Sequence, residues 1–135
     1  MPANWEAVAD RHARLRWVGI ALFWFGVAAF ALNLGAAVTG RASFARVLLG
    51  VAAMGFSLGA FGTNNDTALH AMAELAKRDL LPARFAGEWA HELATRPDKA
   101  KHPHAAPKMA LVMPVAALLV VAWAIWRGAG AWGLV

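Results

Sequence analysis

Three long stretches of the chain are almost free of ionisable residues, and polar segments separate them. Residues 17–39 read WVGIALFWFGVAAFALNLGAAVT, residues 44–62 read FARVLLGVAAMGFSLGAFG, and residues 109–126 read MALVMPVAALLVVAWAIW. A bilayer core of about 30 Å needs about 20 residues of helix, and each stretch is of that order. The pattern predicts an all-α integral membrane protein with three transmembrane helices. Only Gly40 to Ser43 separates the first two spans, so they form a hairpin. The apolar part of a signal peptide is typically about 7–15 residues. The first stretch exceeds that, which predicts a retained span.

The polar segments carry weaker periodicity. Residues 1–16 form an N-terminal segment in which Asn4 can cap a helix, and Trp5, Val8, His12 and Leu15 fall near one face, as in a short interfacial helix. Residues 63–108 form the longest polar segment. Thr63 to Thr67 supplies helix N-caps, and Leu69, Met72, Leu75 and Leu80 recur at helical spacing, predicting a helix over 67–81 that Pro82 ends. A second helix is predicted over 83–94, with Phe85, Trp89 and Leu93 on one face. The segment is thus an amphipathic helical loop between the second and third spans. Its apolar face needs the membrane surface, the protein's own helix ends or a partner to cover it. A proline-rich linker and a short tail, residues 127–135, complete the chain.

Composition agrees with the pattern. The chain is 60% hydrophobic and 16% charged, against about 45–50% and about 25% for soluble domains. The net charge is +5, but the basic residues flank spans rather than forming a stripe among exposed aromatics, so nucleic acid is not an expected partner. Arg11, Arg14 and Arg16 precede the first span, and seven Lys and Arg lie between the second and third, among them Lys77, Arg84 and Lys108. By the positive-inside rule both segments are cytoplasmic, giving a multi-pass inner-membrane protein with its N-terminus inside and its C-terminus outside. Arg41, Arg46 and Arg127 fall on the other face. With no Cys in the chain, disulfides and thiolate chemistry are excluded.

Candidate chemistry is sparse. The middles of the spans hold no Asp, Glu, Lys or His, which speaks against proton relays and carriers of charged substrates. No cofactor is expected, and no catalytic residue is assigned. Asn33 is the single amide in the first span, and interhelical hydrogen bonding is its expected role. Gly55 and Gly59 form a GxxxG pair suited to close helix packing. His102 and His104 are candidate metal ligands, with His91 or Asp98 as a third, although flexible proline-rich surroundings favour a solvated loop. His70 and Glu74 share a helix face, as an acid–base pair or as ordinary surface residues. Asp66 with Asn64 and Asn65 offers oxygens for a hard cation, but capping is the simpler role.

These features lead to three functional expectations. The first is a non-catalytic accessory or scaffold subunit of a membrane complex, with the lipid bilayer and other membrane subunits, or further copies of itself, as partners. The alternative is a homo-oligomeric channel or carrier for a neutral or apolar solute, lined by Asn33, Thr39 and Ser57. The third is an enzyme at the cytoplasmic face using His70, Glu74 or the His102–His104 pair.

Overall fold

The computed structural model describes residues 4–95 and 107–135. Helix α1 spans Trp5–Val38, a short 3-10 turn covers Phe44–Arg46, and α2 spans Val47–Lys77. Two short helices follow, α3 over Ala83–Glu88 and α4 over Ala90–Thr95, and then α5 over Pro107–Ala131. The described residues contain no strand. The helices containing the three apolar stretches are long and apolar enough to cross a membrane, compatible with a multi-pass membrane protein.

Their packing follows a seven-residue rhythm. Buried positions in α1 include His12, Gly19, Gly26 and Asn33; those in α2 include Gly50, Ser57, Asn64 and Ala71. In α5, Ala110, Ala117 and Ala124 alternate with Pro114, Val121 and Gly128. A 3.5-residue spacing keeps one seam turned toward its neighbours along the whole helix, as in left-handed coiled coils. Gly, Ala, Ser and Asn make up most of the seam, so backbones approach closely. An added Cβ on Gly50 would collide with the Phe30 Cα, and one on Gly19 would lie 2.5 Å from the Phe61 backbone nitrogen. Many large apolar side chains of the apolar stretches and the connection point outward: Trp24, Phe25, Phe44, Leu119 and Trp123 are all exposed. Small and polar inside with large and apolar outside suits a lipid solvent, because close approach rather than water exclusion holds such helices together.

The α1–α2 connection is set by backbone geometry. Gly40 adopts φ 77°, the Arg41 N–H reaches the Ala36 carbonyl at 2.7 Å and the Gly40 N–H reaches that of Ala37 at 3.2 Å. This is a Schellman cap, in which glycine occupies the left-handed position without a Cβ penalty. The same double bond recurs at the end of α2, where Asp79 takes φ 55° and the Leu80 N–H bonds the Leu75 carbonyl at 3.0 Å.

At 34 residues and about 1.5 Å per residue, α1 is about 51 Å long and exceeds a bilayer core of about 30 Å by about four turns. Its surplus lies at the N-terminal end. There, Ala9 of α1, Leu69, Met72 and Leu75 of α2, Phe85 of α3 and the buried Trp89 form one apolar cluster, with Trp5, Val8 and Leu93 against it. A second cluster, around Leu22, Ala29, Ala53, Ala60 and Val121, fills the body of the bundle.

Several local expectations are corrected. Residues 5–16 do not form a helix of their own: from Trp5 the chain is one uninterrupted helix into the first apolar stretch. Thr63 to Thr67 does not start a helix, because α2 runs through it, and six consecutive residues, Asn64 to Leu69, are buried. Side-chain bonds to neighbouring carbonyls replace the caps these residues would make in a loop. The helix expected over 83–94 is two, divided at Trp89, whose N–H bonds the Phe85 carbonyl at 2.8 Å.

Candidate functional site

Polar side chains concentrate where the N-terminal part of α1, the middle of α2 and the α3–α4 segment meet. Asn64 is the hub. Its Nδ2 donates to the Ala60 carbonyl of its own helix and to the Ala110 carbonyl of α5, both at 2.8 Å. With both amide hydrogens committed to carbonyls, its Oδ1 faces His12 and accepts from Nδ1 at 2.7 Å. The imidazole proton is therefore assigned to Nδ1 by the hydrogen-bond network. One amide thus joins all three long helices.

One turn further along α1 lies Arg16, 8% exposed. Its guanidinium donates to Asn65 Oδ1 at 2.9 Å and to Glu88 Oε1 at 2.8 Å, and Glu92 Oε1 lies 3.7 Å away. Asn65 Nδ2 donates to the other Glu92 oxygen at 2.9 Å. The Arg16 guanidinium lies 3.9 Å from the centre of the Trp89 ring, a cation–π geometry that desolvation strengthens. Only its Nε is buried without a partner. Arg16 therefore draws the carboxylates of Glu88 and Glu92 and the indole of Trp89 onto the bundle. Beside it, the Arg84 guanidinium donates to Glu6 Oε1 at 2.8 Å and to Asp10 Oδ2 at 2.9 Å. These bonds, that to Glu6 first, hold Arg84 above its ordinary pKa.

The network has the chemistry of a clasp. Its side chains are His, Arg, Asn, Trp, Asp and Glu held by one another, and among the described residues no three His, Cys, Asp or Glu come together as a metal site. Asn64, Asn65 and Asp66 do not converge on a cation, since successive helix positions point about 100° apart. Asn64 turns to His12 and Asn65 to Arg16 and Glu92. Glu74 accepts from Lys77 at 3.1 Å and from Arg78 at 3.0 Å, while His70 meets the Trp5 ring edge-on at 5.5 Å. His102 and His104 lie outside the described residues.

In the body of the bundle, Asn33 Nδ2 donates to the Ala29 carbonyl at 2.8 Å and, across to α5, to the Ala124 carbonyl at 3.1 Å. Gly128 leaves the room this requires: a Cβ there would lie 3.0 Å from Asn33 Nδ2. Of the GxxxG pair, Gly55 has nothing within 4 Å of an added Cβ, and Gly59 meets only the end of the Met113 side chain. Gly19, Gly26 and Gly50 carry the close backbone approaches between α1 and α2 instead.

By sequence, His12 and Arg16 belong to a polar segment ahead of the first span and Asn64 and Asn65 to a capping turn, so the clasp is not evident there. One signal of it is present: His12, Gly19, Gly26 and Asn33 are spaced by seven, so His12 continues a small and polar seam toward the N-terminus. Comparison with protein families, with curated proteins and with solved structures finds no match for this chain.

Proposed function

We propose that this chain is a multi-pass inner-membrane protein acting as a non-catalytic accessory or scaffold subunit of a membrane complex. In this reading the capped end and the N-terminus face the cytoplasm and the C-terminus lies on the opposite side. The observation that carries it is where polar chemistry is spent. Asn33, Ser57 and Asn64 are buried and bonded to backbone carbonyls, and Arg16 is bonded within the clasp. Apart from the Asn33 Oδ1 and the Arg16 Nε, which are buried without a partner, these polar groups are bonded within the bundle, while broad apolar surfaces face outward, toward lipid or a neighbouring subunit.

A channel or carrier is less well supported. It would need Asn33, Thr39 and Ser57 on a pore wall. Asn33 and Ser57 sit between helices, and the Thr39 hydroxyl donates to the Gly35 carbonyl at 2.7 Å. Native mass spectrometry of the tagged protein, extracted from its own membrane in mild detergent, tests the proposal. A defined complex with other membrane proteins is expected. A homo-oligomer with no other component would reject it in favour of a self-assembled channel.

A further inference from the structure

The charges of the two ends of the bundle are unlike in kind. All eight acidic residues, Glu6, Asp10, Asp66, Glu74, Asp79, Glu88, Glu92 and Asp98, precede or follow the first two spans on the clasp side of the chain order. The opposite end, formed by the 39–46 connection and the end of α5, holds Arg41, Arg46 and Arg127 and no Asp or Glu. These three arginines line one open cavity of about 420 Å³ together with Trp126, Gly130, Ala131 and Val135.

Two of the three are held in place. Arg41 lies over the Trp132 ring at 4.2 Å, and that indole is itself fixed by donating to the Leu32 carbonyl at 3.0 Å. Arg46 donates to the Arg127 carbonyl in the last turns of α5 at 3.0 Å, where helix-end carbonyls favour a cation. The Arg127 guanidinium makes no hydrogen bond or ion pair among the described residues. Three arginines lining one cavity bring like charges into one region, and an anion shared between them would offset their repulsion. Guanidinium forks match the tetrahedral oxygens of phosphate. The exposed Trp126 at the cavity rim marks the level where aromatic side chains meet headgroups.

We propose that Arg41, Arg46 and Arg127 form a binding site for a phosphate group, supplied by an anionic phospholipid headgroup. The site rests on the membrane placement and is independent of the accessory role.

The test is native mass spectrometry of the full chain in detergent, titrated separately with phosphatidylglycerol, phosphatidylcholine and inorganic phosphate. Wild type is expected to bind phosphatidylglycerol at least about tenfold more tightly than phosphatidylcholine. Each Arg→Gln change should cost about fivefold, and the triple variant R41Q/R46Q/R127Q should lose the preference. R127Q alone removes a guanidinium with no internal partner, so it reports on the site without disturbing the fold. R11Q/R14Q, at the other end, should leave binding unchanged. Inorganic phosphate binding that R127Q weakens would assign the same site to the free anion. Equal binding of the two lipids with no phosphate binding, or a preference that survives the triple change, would overturn the proposal. Co-migration of the protein with lipid nanodiscs reads membrane placement separately, so failure of the site and failure of that placement are distinguishable.

Discussion

Single residues in the bundle divide by what surrounds their Cβ. Gly50 faces the Phe30 backbone with no space to spare, while Gly55 faces open space. Gly50→Ala must push two helices apart, and overpacking of this kind costs about 1–3 kcal/mol. Gly55→Ala should leave stability unchanged or raise it by up to about 1 kcal/mol through helix propensity. Thermal unfolding in detergent separates the two; an equal loss at Gly55 would place that glycine against another chain. Asn64 is a different case, since its removal strands the His12 N–H in the interior. Asn64→Leu should destabilise by about 1–3 kcal/mol, the cost of an unsatisfied buried donor. In a double-mutant cycle, His12→Ala should cost much less in the Asn64→Leu background than in wild type; additive losses would mean that the two side chains do not interact.

Among the elements, α3 and α4 depend most on contacts outside themselves. At six residues each they are far below the length at which isolated helices persist in water. They are held by Phe85 and Trp89 in the apolar cluster and by the Arg16 bonds to Glu88 and Glu92. Arg16→Met keeps much of the apolar stem contact but removes the charge and the donors. Amide hydrogen exchange over residues 83–95 should then accelerate at least about tenfold, while the α1–α2 seam stays protected. Unchanged protection would show that the Trp89 contact alone holds the segment. Arg84 pairs with Glu6 and Asp10 at the surface, where salt screens the attraction. Arg84→Ala should accelerate exchange only at low ionic strength.

At the scale of the whole molecule, the three long helices place the N-terminus and the α3–α4 segment at one end and the 39–46 connection and the C-terminus at the other. The cysteine-free sequence makes this directly measurable. Ala86→Cys on α3 and Ser43→Cys in the connection are both exposed positions. In intact cells a membrane-impermeant maleimide should label Ser43→Cys and spare Ala86→Cys until the membrane is opened. The reverse pattern would invert the proposed orientation. Labelling of both in intact cells would reject the membrane-spanning arrangement.

Length and hydropathy were enough to identify three helices able to cross a membrane, because a bilayer imposes a length and an apolarity that local sequence displays directly. The hairpin turn at Gly40 and the breaks near Pro82 were equally local. Partnership was not. Asn64 and Asn65 look like loop residues because their short polar side chains compete for the backbone when water is the alternative. Buried among α1, α5 and α4, the same side chains find His12, Arg16, Glu92 and the Ala110 carbonyl, and the helix continues through them. His12 and Arg16 likewise look like surface residues until Trp89, 73 residues later in sequence from Arg16, closes over the guanidinium. Sequence alone determined which three segments are apolar and long enough to cross a membrane as helices, since that follows from each segment's own side chains. Tertiary structure alone decided which polar groups are buried, which glycines are close-packed and which charges converge, because each of those depends on atoms contributed by a distant part of the chain.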